Sequence, residues 1–228
     1  KVWRQVMKKE IKESDFAPIS EKEWPLDYTS TRGLYPYIKR LGDDIVGIEI
    51  GTSCAESTYL LLEKCPNIKK IYTIDPYAEF DDWIGTISQK VLDWQREIAK
   101  MNLERFGDRV EMLRMTSKEA LSKFEKESMD FIFIDGDHSY EGVKKDFDLY
   151  STIMSDKGII IIHDTDAEYE ESLLISEDNK KDHYKFDGPS KLVEELEKNT
   201  SYNLIKLHNF RILSNKPSSS GITIINKK

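Results

Sequence analysis

Five short runs of the chain are almost wholly apolar: Ile45 to Ile50, Ile71 to Ile74, Val110 to Leu113, Phe131 to Ile134 and Ile159 to Ile162. They are rich in Ile, Val and Phe, and runs of this length suit strands covered on both faces, as in a parallel sheet. Between them, apolar residues recur at helical spacing. Ala55, Tyr59 and Leu62 form one such stripe, Ile87, Val91, Trp94, Ile98 and Met101 a second, and Tyr140, Val143, Phe147 and Tyr150 a third. Thr116-Ser117-Lys118-Glu119 reads as a capping box that opens a further short helix. Strand and helix therefore alternate, which predicts right-handed crossovers and a doubly wound α/β sheet.

The end of the chain breaks the alternation. Gly188-Pro189 opens a helix carrying Leu192, Val193 and Leu196. Leu204 to Leu207 and Ile222 to Ile225 then follow as strands with no helix between them, and Asn215 to Gly221 is loop chemistry. Two strands joined in this way are most simply antiparallel neighbours, so the sheet should finish in a reversed hairpin. Residues 1–40 are polar, with Trp3, Trp24, Leu34 and Tyr37 as anchors. They read as an N-terminal helical extension packed against the domain or against a second subunit, the latter implying a homodimer. No repeat or linker divides residues 41–228, which read as one domain.

Composition narrows the function classes. With 228 residues, 39% hydrophobic and 33% charged, the chain has the make-up of a folded domain able to bury a substantial core. A formal net charge of −8 and a pI near 5.2 argue against a nucleic-acid surface, which needs clustered Lys and Arg. No run approaches the roughly 20 apolar residues that span a bilayer, so no membrane partner is expected. Lys1 to Glu10 mixes basic residues with few apolar ones, unlike a signal peptide. A start at Lys rather than Met is that expected of a chain trimmed or cut from a longer protein. Cys54 and Cys65 make no disulfide framework and read as small hydrophobes in a reducing compartment, with a cytoplasmic enzyme as the default.

The candidate chemistry follows the strands. In open α/β sheets ligands bind outside the carboxyl ends of the strands, near the point where strand order reverses. After the first run, Gly51-Thr52-Ser53-Cys54-Ala55 enters a helix. Small side chains there either let a ligand approach free N–H groups or simply pack tightly. After the second comes Asp75, 24 residues beyond Gly51, placed either to accept hydrogen bonds from ribose hydroxyls or to cap a helix. After the fourth comes Asp135-Gly136-Asp137-His138-Ser139-Tyr140-Glu141, and after the fifth His163-Asp164-Thr165-Asp166. Adjacent fourth and fifth strands, spaced by about 4.8 Å, would bring Asp135 and Asp164 close together. Carboxylates that close call for a cation, a shared proton or a proton-transfer task, unless one caps a helix and the other faces water. Oxygen ligands of this sort favour Mg²⁺ or a similar hard ion.

These residues resemble a family. Glu49-Ile50-Gly51 with its small-residue turn, Asp75-Pro76-Tyr77, Phe133 through Glu141, and Gly158-Ile159-Ile160 through His163-Asp164 are similar to class I S-adenosylmethionine-dependent methyltransferases. The nearest branch is that of small-molecule and sugar O-methyltransferases related to macrolide and cephalosporin-pathway enzymes, and the resemblance covers about residues 40 to 225. It implies a Rossmann-like, mostly parallel sheet of seven strands ending in the reversed hairpin. It implies S-adenosylmethionine over Gly51 to Ala55, with Glu49, Gly51, Thr52, Ser53, Asp75, Ser117 and Asp135 as its binding residues. Adenine would sit near Met115 to Ser117. It further implies a divalent metal on Asp135, His163 and Asp164, a base at Asp137 or His138, and a hydroxylated small molecule as methyl acceptor.

The sequence also departs from the family. Ser53 and Ala55 stand where glycines are usual, which should stiffen the loop. The acidic pair expected after the fifth strand is His163-Asp164, and imidazole suits a transition metal better than Mg²⁺. Neighbouring strand residues point to opposite faces, so His163 reads equally as a buried, hydrogen-bonded side chain. Phe80 and Trp83, and in the segment Thr165 to Asp187 also Tyr169, His183 and Tyr184, read either as substrate-site aromatics and imidazole or as packing residues. Two rivals remain. An NAD-dependent oxidoreductase needs Gly-x-Gly-x-x-Gly, but here Glu56 would face the pyrophosphate. A catalytically silent domain that binds the adenosyl cofactor or a partner for regulation would keep Gly51 and Asp75 without needing the Asp135-to-His138 cluster.

Overall fold

The computed structural model describes residues 29–82, 85–165, 188–207, 210–211, 216–217 and 221–228. Seven strands form one sheet: β1 (Ile45–Ile50), β2 (Ile68–Ile74), β3 (Val110–Leu113), β4 (Met129–Ile134), β5 (Met154–His163), β6 (Tyr202–Leu207) and β7 (Ile222–Lys227). Their order across the sheet is β3-β2-β1-β4-β5-β7-β6. The first five are parallel, while β7 lies antiparallel between β5 and β6, with Ile222 opposite both His163 and Leu207. The reversed hairpin expected from the loss of alternation is thus present.

Period-two alternation sends successive residues of the central strands to opposite faces. Ile48, Ile50, Ile132, Ile134, Ile160 and Ile162 join one core, with Val143 and Phe147 of helix α5 (Tyr140–Tyr150) and Leu192 and Val193 of α6 (Gly188–Glu197). The short helix α4 (Ser117–Ala120) adds Ala120 to the same face. Phe131, Phe133, Ile159 and Ile161 join the other core. There they meet Leu34 and Ile38 of α1 (Thr29–Arg40), Leu61 and Leu62 of α2 (Glu56–Lys64), and Ala99 and Leu103 of α3 (Gln89–Leu103). Each fully buried isoleucine contributes about 2 kcal/mol by this burial.

The expected elements recur with longer strands. β2 begins at Ile68 and β5 at Met154, because Lys69, Asp156 and Lys157 are exposed there and give no apolar signal. Around residue 80 lies a small antiparallel pair, Phe80–Asp82 with Gly85–Ile87. Strands of three residues are too short to show a period. α1 packs Leu34 into the domain core, whereas Trp3 and Trp24 lie outside the described residues, as do Trp83, Tyr169, His183 and Tyr184. Among the described residues no helix is long and apolar enough to cross a membrane. Cys54 and Cys65 are free and buried, and burial pushes both thiols up to about 11.

Candidate active site

Strand order reverses between β1 and β4, so the crevice of this sheet opens at their carboxyl ends. The ladder continues one residue past each strand. Gly51 N–H donates to Ile74 O (2.9 Å), Asp135 N–H to Ile50 O (2.8 Å) and Asp75 N–H to Leu113 O (3.2 Å). These bonds fix the first residue after each of β1, β4 and β2 in a row. Gly51 has φ +89°, and a Cβ placed on it would stand 2.1 Å from the Asp135 carbonyl oxygen. Only glycine permits that approach.

The turn after β1 is held from outside. Asp75 Oδ2 accepts from the backbone N–H groups of Thr52 and Ser53 (3.0 Å each), and its Oδ1 accepts from Tyr77 N–H (2.8 Å). A carboxylate has about four acceptor positions, so three bonds leave one free, on Oδ1. Below the turn, Glu49 is fully buried and its two oxygens accept from the hydroxyls of Ser57 and Thr58 of α2. Burial pushes the Glu49 carboxyl up to about 8, and the nearby Asp135 and Asp75 charges add to the effect against the Ser57 hydrogen bond and His163.

Past β3, Thr116 caps α4 in the capping box read from sequence. Ser117 Oγ donates to Asp146 Oδ1 of α5 (2.5 Å), and Tyr150 donates to Ser117 O (2.8 Å). Burial raises the Asp146 carboxyl, with Asp137 adding to it.

Beyond β4 and β5, two carboxylates and two imidazoles meet. His138 Nε2 lies 3.5 Å from Asp135 Oδ1 and 3.3 Å from Asp164 Oδ2. His163 Nδ1 lies 3.2 Å from Asp135 Oδ1 and 3.1 Å from Asp164 Oδ1. Asp135, His138 and Asp164 each offer one potential ligand atom, all within 4.8 Å of one another. His138 Nε2 is buried and lacks hydrogen-bond alignment to either carboxylate despite its proximity to both. Burial pushes Asp135 up, but His163 and His138 outweigh it and hold the carboxyl well below the usual range. Burial lowers both imidazoles, yet the facing carboxylates raise His138 and bring His163 well above its ordinary value. Asp137, by contrast, is exposed and turns Oδ1 onto the Ser139 N–H (2.8 Å), outside this cluster. A Cβ on Gly188 would stand 2.4 Å from the His138 carbonyl oxygen, so the start of α6 bears directly on the backbone of this loop.

Asn102 and Asp146 went unmarked in the sequence, and Tyr77 entered it only within the Asp75-Pro76-Tyr77 motif. Asn102 Nδ2 donates to Cys54 O (2.8 Å) and Tyr77 Oη to Ser53 O (2.8 Å). Asn102 and Asp146 each occupy the apolar stripe of an amphipathic helix, and a polar residue in that position is a readable sign of a buried partner. Phe80 is 50% exposed, which removes it from the core.

A family model described as "Methyltransferase domain" matches residues 48–165. That span runs from β1 to the end of β5 and holds every site residue described above except Gly188. An uncharacterized protein of Acanthamoeba polyphaga mimivirus is 29% identical over 126 residues, covering 54% of this chain and 52% of that protein. An uncharacterized protein of Sinorhizobium fredii is 38% identical over 56 residues, covering 25% of this chain and 6% of that one. The chain thus spans about half, or far less, of the curated relatives it matches. Among solved structures, an O-methyltransferase from Bacillus cereus in complex with S-adenosylhomocysteine superposes with a TM-score of 0.64 at 21% identity, over 89% of this chain and 83% of that one. An O-methyltransferase from Streptomyces achromogenes involved in tomaymycin synthesis, in complex with S-adenosylmethionine, gives 0.60 at 13% identity, over 87% and 79%. At such identities the likeness is one of fold.

Proposed function

The chain belongs to the methyltransferase-domain family, and on that premise we propose that it transfers the methyl group of S-adenosylmethionine to a hydroxyl oxygen of a small molecule. The observation that carries this reading is the convergence, at one sheet edge, of the clamped turn at Gly51, the Asp75 carboxylate and the Asp135–His138–Asp164 cluster. Carboxylates gathered there suit a sulfonium cation. In this reading Gly51, Thr52 and Ser53 carry the cofactor, Asp75 uses its free lone pair for a ribose hydroxyl, and Ser117 flanks adenine. Glu49 supports the turn from beneath, and Asp135 closes the crevice opposite Gly51. The acceptor is a hydroxylated small molecule, in a cytoplasmic setting, with a homodimer as the assembly.

The donor set fits a divalent cation: two carboxylates and an imidazole offer oxygen and nitrogen atoms within bonding reach of one centre. Asp135 and Asp164 would hold it with one of the two imidazoles, a mixture that favours a transition metal over Mg²⁺. Such an ion, when bound, lowers the pKa of a hydroxyl. The imidazole of that converging group is His138. His163 Nδ1, 3.2 and 3.1 Å from the same two carboxylates, is the alternative nitrogen donor, and we assign it to the donor set so that His138 takes the proton. His138 accepts the hydroxyl proton at Nε2, and the carboxylates beside it stabilise the imidazolium that forms. Methyl transfer is an in-line displacement, so the remaining task of the chain is to hold the oxygen close to the methyl carbon and to exclude water.

Calorimetric titration with S-adenosylhomocysteine, with and without EDTA and added divalent ions, tests the reading. The adenosyl ligand is expected to bind and NAD⁺ to fail. NAD⁺ binding in its place refutes the assignment. Unchanged turnover in both Asp135→Ala and His138→Ala, with cofactor still bound, refutes the roles given to those residues.

A further inference from the structure

The turn after β1 carries left-handed backbone at two residues with side chains, Ser53 (φ +46°) and Ala55 (φ +63°). For an L-residue that conformation costs about 1–2 kcal/mol, so something must hold it. Ala55 makes no side-chain cap for α2. The carbonyls between and beside them are gripped instead by groups from outside: Ser53 O by Tyr77 Oη and Cys54 O by Asn102 Nδ2, each at 2.8 Å.

Tyr77 is built for that grip. The residue is 2% exposed and packs with Ile87 and Leu92. Its own backbone is left-handed (φ +45°) and tied on both sides. The N–H donates to Asp75 Oδ1, and the carbonyl accepts from Gln89 Nε2 (2.8 Å) and Arg114 Nη2 (3.3 Å). Burial pushes the phenol upward and keeps it a neutral donor. The hydroxyl is thereby fixed by β2, α3 and the end of β3 together before it meets the turn.

We propose that Tyr77 is a positioning residue for the adenosyl cofactor, its hydroxyl holding the Ser53–Ala55 turn in the left-handed form that a glycine would adopt unaided; this rests on the reading of that turn as the cofactor site. The dependence on Tyr77 should therefore vanish when residue 53 can take that conformation by itself.

The experiment is calorimetric titration of S-adenosylhomocysteine into the unsubstituted chain, Tyr77→Phe, Ser53→Gly and the double variant. Tyr77→Phe keeps the ring and loses one hydrogen bond, so Kd should rise about fivefold or more when residue 53 is serine and change by less than about twofold in the Ser53→Gly background. A merely structural tyrosine would lower the melting temperature and leave Kd alone, which overturns the proposal. Equal losses in both backgrounds overturn it too, since the hydroxyl would then act on something other than backbone strain. If Tyr77→Phe does not fold, Asn102→Ala supplies the same comparison at Cys54 O, and an unchanged Kd there is equally fatal. Absence of binding by the unsubstituted chain refutes the cofactor reading itself, a result distinct from tight binding that ignores Tyr77.

Discussion

Glu49→Gln is the substitution that isolates the buried acid beneath the turn. The Glu49 carboxyl is fully buried, and its two oxygens accept from the hydroxyls of Ser57 and Thr58. Burial is the leading reason its pKa stands near 8 instead of 4.5. The sign follows from linkage. Between those two values the unfolded chain has lost the proton and the folded chain still holds it, so folding takes up a proton. The stabilisation is complete below the unfolded value, falls by about 1.4 kcal/mol per pH unit through the window, and is gone above the folded value.

His138 and His163 are also raised, and their contributions likewise fade as pH rises. The difference between the unsubstituted chain and Glu49→Gln cancels them, because glutamine has the same shape and no proton to lose. Urea unfolding at pH 5.5, 7.0 and 8.5 measures it. At pH 5.5 the glutamine variant should be the less stable or equal, and by pH 8.5 the balance should have moved in its favour by on the order of 3 kcal/mol. A difference that stays constant across the three pH values would mean that Glu49 ionises as in water, and the argument from burial would be wrong.

Two further substitutions probe the turn. Gly51→Ala should cost about 3 kcal/mol, from left-handed strain together with a Cβ 2.1 Å from the Asp135 carbonyl, and should abolish S-adenosylhomocysteine binding in calorimetry. Ser53→Gly relieves strain at an exposed position and should raise stability by about 0.5 kcal/mol, whereas Ala55→Gly also gives up a fully buried methyl and should be neutral or slightly destabilising. Thermal unfolding of the two variants side by side decides this, and equal shifts would count against the account.

The sheet was legible because its central strands are buried on both faces. Ile45 to Ile50 and Phe131 to Ile134 can be read directly, and β4 beside β5, with Ile134 opposite Ile162, brings Asp135 to Asp164 as strand spacing requires. The roles of Asp137 and His138 were not separable in sequence, since both lie in one loop within reach of the same centre. Ser139 separates them: its hydroxyl caps α5 by accepting from Gly142 N–H, and the loop before it turns Asp137 onto the Ser139 N–H while His138 faces the carboxylates. That choice depends on where a helix begins, which sequence periodicity fixes only to within a residue or two. The clamp on the turn was hidden for a different reason. Tyr77 and Asn102 lie 24 and 48 residues from the carbonyls they hold, a distance no local pattern spans.

Strain is distributed in a way that packing alone does not require. Among the described residues, six with side chains have positive φ: Asp44, Ser53, Ala55, Tyr77, Glu127 and Asp164. Asp44 and Glu127 lie in turns that lead into β1 and β4. The other four all follow the carboxyl ends of β1, β2 and β5, the edge that carries the crevice. A fold that needed these turns only to reverse direction could place glycine there at lower cost. Residues with side chains held in this region persist when surrounding contacts over-determine them, and such positions gather where a geometry must be ready before its ligand arrives. Each of three strained positions is over-determined in that sense: Ser53 by Asp75 and Tyr77, Tyr77 by Asp75, Gln89 and Arg114, and Asp164 by the two imidazoles. The edge is therefore rigid by construction, and methyl transfer, which gains its rate from holding two reacting atoms in line, is a chemistry that rigidity serves.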